Sequence, residues 1–243
     1  MSILAVGPRE FSPRLVIFDK DGTLIDFHVM WATWARDLAR RLEAATHKSI
    51  AAPLFRALAF DAASNHVVAG GTLAVTPMAE LRSLTARVLR DARLTDGEVE
   101  RALAAAWHAP DPIALACPLT DLRYLFAALR ERGAQVTIAT SDDRVSTEAT
   151  LRAFGVESLV DALICADDGL PIKPAPDMVL HLCQTLAVAL AHTVVVGDAV
   201  PDMQMAKAAG VALAVGVTSG VSTRAALAPF ADVVIGSVAE LIA

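Results

Sequence analysis

The sequence of 243 residues has few cysteines, no excess of positive charge and no long apolar run. Its cysteines are three in number, Cys117, Cys165 and Cys183, and their spacing matches no common metal site. An odd set of this kind indicates neither a disulfide framework nor a zinc site. We therefore expect reduced, mostly buried thiols in a cytoplasmic protein.

Positive charge is scarce as well. The chain has 21 Lys and Arg against 27 Asp and Glu, for a net charge of -6, and its basic residues form no stripe. Proteins that bind nucleic acids present a concentrated basic surface, so no nucleic-acid partner is predicted. Residues 1–14 carry neither a basic beginning nor a long apolar core, so no signal peptide is predicted either.

The lack of a long apolar run argues against a membrane span, although the mean hydropathy is +0.49. The longest uncharged window, residues 178–197, is interrupted by five polar side chains: His181, Gln184, Thr185, His192 and Thr193. A span needs about 20 predominantly apolar residues, so this window predicts a buried helix followed by a strand. No membrane association is predicted.

The second half of the sequence contains a regular alternation of strand and helix patterns. Short apolar runs typical of parallel strands occur at residues 136–139, 162–165, 194–196, 212–217 and 233–235. The amphipathic segments that precede some of them end at glycines, as helices do: Gly133, Gly155 and Gly210. With the run Leu15–Phe18 as the first strand, the pattern predicts an α/β fold with a doubly wound, Rossmann-like parallel sheet.

Residues 27–118 follow a different pattern. Apolar residues recur at helical spacing in four stretches, which begin near Trp31, Leu54, Thr76-Pro77 and Thr95. The second predicted helix continues through Ala62, and no strand pattern of comparable strength occurs. The linkers are predicted at residues 26–28 and in the proline-containing segment 110–118. We therefore predict a core of residues 1–26 and 119–243, with an all-helical module of residues 27–118 inserted after the first strand.

The most informative segment is residues 19–23, Asp-Lys-Asp-Gly-Thr, which directly follows the first predicted strand. Side chains alternate along an extended strand, so Asp19 and Asp21 are expected to point the same way and Lys20 away from both. Two neighbouring carboxylates repel each other, and a divalent cation would offset that cost. Gly22 would let the backbone approach a ligand closely.

Three further polar segments follow later predicted strands. Thr140 and Ser141 offer a hydroxyl and backbone amides suited to phosphate oxygens. Lys173 is followed by two prolines within three residues, which stiffen the backbone and reduce the entropic cost of binding an anion. Asp198 and Asp202 form a second acidic pair. Because ligands of open α/β sheets bind at the carboxyl ends of the strands, we expect one joint site.

With these four segments the chain resembles the haloacid dehalogenase-like superfamily, in which Mg²⁺-dependent phosphatases predominate. The matching positions are residues 19–23, Thr140, Lys173, and Asp198 with Asp202. The resemblance implies that the helical module is a C1-type cap. Within the superfamily, the chain is most similar to the phosphoglycolate-phosphatase-like branch.

The resemblance also implies a mechanism. Asp19 would attack phosphorus and form an aspartyl-phosphate, and Asp21 would protonate the leaving oxygen and then activate water. Mg²⁺ would be held by Asp19, Asp198 and the backbone carbonyl of Asp21, with Asp202 as a ligand or as the support of one. The phosphoryl oxygens would be held by two side chains, Thr140 and Lys173, and by the amides of Gly22, Thr23 and Ser141.

The implied partner is a small-molecule phosphate ester, such as phosphoglycolate or a sugar phosphate, and the oligomeric state is left open. Two alternatives to a phosphatase are considered. A phosphomutase of the same fold would need a second phosphate site in the cap, where no clear basic cluster occurs. A non-catalytic phosphate-binding regulatory protein would not be expected to retain the complete set of Asp19, Asp21, Lys173 and Asp198.

Several residues around the predicted site have open roles. Asp142 and Asp143 add negative charge beside the phosphate position, and we predict that Asp143 caps the next helix. Arg144 either offsets these charges or reaches the substrate. Specificity is expected from the cap as it closes over the site. The candidates there are His28, Arg36, Arg56, Asn65, His66 and the Gly70-Gly71 loop.

Overall fold

The computed structural model describes residues 4–6, 9–68, 70–76, 78–111 and 114–242, with the side chains of residues 4–6, 9, 10 and 75 left out. By residue contacts the chain divides into two compact units, one formed by Met1–Phe27 with Ala116–Ala243 and the other by His28–Leu115. We name them the sheet unit and the helical unit. The predicted linker residue Pro112 lies outside the described residues, as does Pro77.

The sheet unit contains two kinds of strand. A short antiparallel pair near the start consists of β1 (Leu4–Val6) and β2 (Arg9–Phe11). The main sheet begins with β3 (Leu15–Phe18). The elements of the helical unit follow in sequence: α1 (Phe27–Thr46), α2 (Ala51–Leu58), β4 (Phe60–Asp61), β5 (His66–Val67), α3 (Thr72–Val75), α4 (Met78–Asp91) and α5 (Asp96–Ala106). The chain then returns to the sheet unit with α6 (Leu122–Glu131), β6 (Gln135–Ala139), α7 (Arg144–Ala153), β7 (Ala162–Ile164), α8 (Asp177–Thr185), β8 (Thr193–Gly197), α9 (Val200–Ala209), β9 (Leu213–Val217), α10 (Arg224–Leu227) and β10 (Val233–Ile235).

The main sheet has six parallel strands in the order β10-β9-β8-β3-β6-β7. The central strand β3 is fully buried and lies between β6 and β8, with Phe18 level with Ile138 on one side and Val196 on the other. The loops after these three strands therefore begin at the same edge of the sheet. The predicted doubly wound α/β fold is confirmed.

Both faces of the sheet are covered, as alternation along β3 shows. Val16 and Phe18 belong to one apolar cluster, where the rings of Phe18 and Phe126 of α6 lie 5.8 Å apart. Leu15 and Ile17 belong to a second cluster, which includes Met178 of α8. Side chains that point alternately to opposite faces require apolar residues at every position, which is why this strand is a continuous apolar run.

The helical unit differs from the prediction in two respects: the short helix α3 (Thr72–Val75) was not predicted, and the second predicted helix is shorter than expected. The second helix was expected to continue through Ala62, but α2 ends at Leu58 because Ala59 adopts a left-handed conformation (φ 53°). The next residues form a two-stranded antiparallel hairpin, β4 with β5. Its turn is stabilised by the carboxylate of Asp61, which accepts hydrogen bonds from the amide of Ala63 (2.9 Å) and the hydroxyl of Ser64 (2.5 Å). The unit is therefore not all-helical.

No helix within the described part of the chain is both long enough and apolar enough to cross a membrane. The glycines predicted at helix ends all have positive φ: Gly133, Gly155 and Gly210.

Candidate active site

The loops after β3 and β6 continue the hydrogen bonding of the sheet before they diverge. The amide of Asp19 donates to the carbonyl of Val196 (2.9 Å), and the amide of Thr140 donates to that of Ile164 (2.9 Å). Parallel pairing therefore fixes the position along the sheet at which each loop begins. The predicted joint site consequently has a rigid base at the carboxyl ends of neighbouring strands.

Three predicted carboxylates meet at this edge. Asp19, Asp198 and Asp202 each place a carboxylate oxygen within 4.8 Å of the others, and Asp198 and Asp202 are almost fully buried. The ammonium group of Lys173 lies between two of them, 2.5 Å from Asp19 Oδ1 and 2.7 Å from Asp202 Oδ1. Residues that follow three different strands, β3, β7 and β8, are thus brought into direct contact.

The charges at this cluster are not balanced. Burial raises the pKa of Asp198 well above its ordinary value, and repulsion from Asp19 and Asp202 raises it further. Burial also raises the pKa of Asp19, against the attraction of Lys173. The same two carboxylates, Asp19 and Asp202, raise the pKa of Lys173 although its burial acts in the opposite direction. The cluster therefore contains three carboxyl groups and one ammonium group, which can neutralise only one of them.

A divalent cation fits this donor set. Hard oxygen ligands are those that Mg²⁺ prefers, and a cation would offset the repulsion among the three carboxylates. Asp202 differs from the other two because both of its oxygens are engaged. Oδ1 pairs with Lys173, and Oδ2 accepts a hydrogen bond from the amide of Ala199 (3.0 Å). These contacts favour Asp202 as a support and Asp19 with Asp198 as ligands.

Two glycines make room for Asp198. Gly22 has φ +85°, and a Cβ atom there would lie 2.5 Å from Asp198 Oδ2. A Cβ atom at Gly220 would lie even closer to the same oxygen. Any side chain at either position would displace the carboxylate, so these glycines are required by the close approach of the loops.

Sequence reasoning missed the loop after β9, which supports the site from a fifth strand. The amide of Val221 donates to Asp198 Oδ2 (2.7 Å), and the hydroxyl of Ser219 donates to the carbonyl of Gly22 (2.7 Å). The available signal was positional, because Ser219 and Gly220 follow a predicted strand at the same edge. They contribute no charge, and for that reason they did not stand out.

The prediction that Lys20 points away from Asp21 is wrong. Its ammonium group lies 2.8 Å from Asp21 Oδ1 and 3.0 Å from Asp142 Oδ2, and the residue is 2% exposed. Strand alternation does not extend to this point, because the amides of Leu24 (2.8 Å) and Ile25 (3.1 Å) both donate to the carbonyl of Lys20. The backbone turns at Lys20, and its side chain therefore lies on the same side as that of Asp21.

Asp21 lies beside the carboxylate cluster but is not part of it. Burial raises the pKa of its carboxyl group, and the neighbouring Lys20 opposes this effect. Asp21 is therefore a carboxyl group that holds a proton more readily than an exposed one. The predicted role of its backbone carbonyl as a metal ligand stays a prediction.

The predicted phosphate-binding groups are placed differently from one another. Thr140 is buried, and its hydroxyl oxygen accepts a hydrogen bond from the amide of Asp142 (3.1 Å), whereas Ser141 is exposed. The amide of Gly22 donates to the carbonyl of Ile25 (2.7 Å), so it is engaged in the turn rather than directed at a ligand. The Thr23 amide makes a longer contact with the carbonyl of Lys20 (3.4 Å). The buried Thr23 hydroxyl has no hydrogen-bond partner among the described residues.

The neighbouring charged residues have structural partners. The carboxylate of Asp143 accepts a hydrogen bond from the amide of Ser146 (2.8 Å) at the start of α7, which confirms the predicted cap. Arg144 lies 2.6 Å from Asp168 and 3.2 Å from Glu148. Arg144 is therefore paired with acids other than Asp142 and Asp143, and its contact with substrate stays a prediction.

Within the helical unit, most specificity candidates contact one another. Arg36 donates to the carbonyl of Ala62 (2.6 Å) and to Asn65 Oδ1 (3.1 Å), and its guanidinium group lies 5.4 Å from the centre of the Phe60 ring. The rings of His28 and His66 are stacked with centroids 3.6 Å apart. These contacts attach the β4–β5 hairpin to α1. Arg56 is exposed near the end of α2, and Gly70-Gly71 follows the hairpin.

Comparisons with known proteins identify close similarities. The family described as haloacid dehalogenase-like hydrolase matches residues 13–210. The probable phosphatase IndB of Dickeya dadantii is 32% identical over 86% of this chain and 83% of its own length. The phosphoglycolate phosphatase of Rhodospirillum rubrum is 29% identical over 84% of this chain and 79% of its own length. A shorter match, to Suppressor of quenching 1 of Arabidopsis thaliana, is 36% identical over 35% of this chain and spans only 8% of that protein.

Among solved structures, a HAD-superfamily hydrolase of subfamily IA from Geobacter sulfurreducens superposes with a TM-score of 0.63 at 18% identity, covering 98% of each chain. At that identity the likeness concerns the fold. It agrees with the α/β fold described above.

Proposed function

Because the chain belongs to the haloacid dehalogenase-like hydrolase family, we propose that it is a Mg²⁺-dependent phosphatase that hydrolyses a small-molecule phosphate monoester through an aspartyl-phosphate. The family and the enzyme class were predicted from the sequence and are confirmed. The metal, the intermediate and the substrate are the proposal. The observation that carries it is the contact of Lys173 with Asp19 beside Asp198 and Asp202 at one sheet edge.

Asp19 is the proposed nucleophile. Its position directly after β3 places the carboxylate at the centre of the edge. Burial raises the pKa of this carboxyl group, and the contact with Lys173 opposes that effect and so supports the ionised form that attack requires. An oxygen of Asp19 attacks phosphorus, the bond from phosphorus to the ester oxygen breaks, and an aspartyl-phosphate forms. Water then attacks the same phosphorus, and the bond to Asp19 breaks with release of inorganic phosphate.

Asp21 is the proposed proton carrier. Burial raises the pKa of its carboxyl group, which favours the protonated form that the first step needs. Its proton passes to the leaving oxygen as the ester bond breaks. The resulting carboxylate then accepts a proton from the attacking water, which restores the starting state.

Lys173 and Thr140 are the proposed groups that hold the phosphoryl oxygens. Lys173 is fixed by Asp19 and Asp202, so the cost of ordering its long side chain is met before the substrate arrives. The hydroxyl of Thr140 can donate to a phosphoryl oxygen while its own oxygen accepts from Asp142. Mg²⁺, when held by Asp19 and Asp198, supplies positive charge that stabilises the developing charge on the phosphoryl group.

The substrate class rests on the relatives. The similarity to the phosphoglycolate phosphatase of Rhodospirillum rubrum supports a small phosphorylated acid. A sugar phosphate is the alternative substrate proposed from the sequence. The interpretation of residues 27–118 as a cap that sets specificity is part of the same proposal. A cytoplasmic location agrees with the free cysteines, Cys117, Cys165 and Cys183.

A panel of phosphate esters tests the proposal. Phosphoglycolate, several sugar phosphates and p-nitrophenyl phosphate are incubated with the wild-type protein in Mg²⁺ and, separately, in EDTA. We expect phosphate to be released in the presence of Mg²⁺ and not in the presence of EDTA. Conversion of a sugar phosphate into its isomer without release of phosphate would indicate a phosphomutase instead. No turnover of any ester would favour a phosphate-binding regulatory protein.

A further inference from the structure

Lys20 joins two of the loops that form the candidate site. It follows β3, and its ammonium group lies between Asp21 of the same loop and Asp142 of the loop after β6. The side chain is 3% exposed. A long cationic side chain is seldom buried unless it is paired, so the two carboxylates account for the burial of Lys20. It connects the proposed proton carrier with the segment that contains Thr140.

Asp142 needs such a partner. It lies two residues after Thr140, where its negative charge would repel the phosphoryl group of a bound ester. The contacts of Asp142 hold it in this position. Its amide donates to Thr140 Oγ1 (3.1 Å), and its Oδ1 accepts from the amide of Asp143 (2.9 Å). The hydrogen bond from Asp143 orients the carboxylate, and its other oxygen faces Lys20 (3.0 Å).

We propose that Lys20 is a positioning residue with two effects: it neutralises Asp142 beside the phosphate position, and it fixes the carboxyl group of Asp21 for proton transfer. The assignment rests on the proposed phosphatase function. The two effects are separable because they concern different carboxylates. Loss of the first weakens binding of phosphate, whereas loss of the second slows catalysis.

Variants of Lys20 and Asp142 separate the two effects. In K20M the charge of Asp142 is left uncompensated, so KM and the dissociation constant for inorganic phosphate in Mg²⁺ should rise about tenfold, within the range of coupled charged neighbours. The kcat value should fall as well, because Asp21 loses its partner. In K20M/D142N the repulsive charge is removed, so phosphate affinity should return to within about threefold of wild type while kcat stays low. K20R keeps the positive charge, so its losses of phosphate affinity and of kcat should both be smaller than those of K20M.

Phosphate affinity is measured by isothermal titration calorimetry, and kcat and KM with the ester that the wild-type protein hydrolyses best. E131Q, which removes an exposed carboxylate of α6, serves as the control and should match wild type in both. If Lys20 has a merely structural role, K20M and K20M/D142N should lose phosphate affinity and kcat to the same extent. This result would overturn the assignment. Wild-type constants in K20M would overturn it too.

If K20M does not fold, the double variant carries the test. Near-wild-type phosphate affinity with a kcat at least about tenfold lower supports the assignment, and a wild-type kcat contradicts it. A wild-type protein that neither binds phosphate nor hydrolyses any ester would overturn the proposed function itself. That result is read from the wild-type protein alone, so the two failures are distinguishable.

Discussion

The sheet unit and the helical unit hold their polar residues in different ways. At the sheet edge, the backbone places side chains that are far apart in sequence into direct contact, as with Asp19 and Lys173. In the helical unit, Arg36 and Asn65 contact each other and attach a hairpin to a helix. Burial distinguishes them further, since Lys173 is buried with two carboxylates while Arg36 is exposed. The first set therefore joins opposite charges at a buried edge, where we propose the chemistry takes place, whereas the second set holds a hairpin against a helix.

The largest effect expected from this difference is at Asp19. D19N keeps the size of the side chain but removes the nucleophile, so kcat should fall by about 10⁴-fold or more. The measurement is phosphate release with the best ester of the panel. E131Q provides the matched control for loss of one carboxylate in the same unit. A D19N protein with wild-type activity would contradict the proposed mechanism.

Asp21 should show an effect that depends on the leaving group. For D21N, kcat with an alkyl phosphate should fall by about 10²–10⁴-fold, because no proton reaches the leaving alkoxide. With p-nitrophenyl phosphate the loss should be smaller, since that leaving group departs without protonation. Equal losses with both esters would argue against Asp21 as the proton donor of the first step.

A single methyl group at Gly220 should disturb the site. In G220A the new Cβ atom meets the carboxylate of Asp198, so Mg²⁺ affinity should fall by about 10–100-fold, as found when the support of a metal ligand is lost. Calorimetric titration with Mg²⁺ measures this. The matched control is G97A in α5, where the nearest atom to the new Cβ lies 3.6 Å away. Mg²⁺ affinity equal to wild type in G220A would contradict the described packing.

Stabilisation by Mg²⁺ should increase with pH. In the metal-free protein the raised pKa of Asp198 means that the folded state holds a proton that the unfolded chain releases. That contribution is present at low pH and is lost as the pH rises from 3.8, the ordinary pKa, through the raised value. Mg²⁺ needs the ionised carboxylate, so the increase in Tm on adding Mg²⁺ should be larger at pH 7.5 than at pH 5. D198N should abolish the dependence, and an increase that is independent of pH would contradict it.

The smallest effect is expected in the helical unit. R36M removes two hydrogen bonds and the contact with Phe60, so the free energy of unfolding should fall by about 1 kcal/mol. Urea denaturation measures this, with R56M as a matched exposed arginine of the same unit. A loss of phosphatase activity with p-nitrophenyl phosphate comparable to that of D19N would remove the distinction between the two units.

The sequence was sufficient where one physical rule acted alone. Buried parallel strands need apolar residues on both faces, so Leu15–Phe18 and Val233–Ile235 were found at their observed bounds. The acidic and basic residues of the site were found because each follows such a strand. Charge and position together made Asp19, Lys173 and Asp198 visible.

The remainder depended on geometry that leaves little trace in the sequence. Two-residue strands have no period, so the β4–β5 hairpin was not predicted. Lys20 was misplaced because the strand rule was applied one residue beyond the point where the backbone turns. The backbone amide of Val221 holds Asp198, and an amide is present at nearly every position. Such contacts can only be identified once the loops are placed.

The central claim, that Asp19 carries the phosphoryl group, can be tested directly. The wild-type protein is quenched in acid during turnover of p-nitrophenyl phosphate with Mg²⁺, the acyl phosphate is reduced with borohydride, and the peptide containing residue 19 is examined by mass spectrometry. The account predicts the reduced product at Asp19 in the wild-type protein and none in D19N. Steady phosphate release with the product at another residue, or with no product at all, would contradict it.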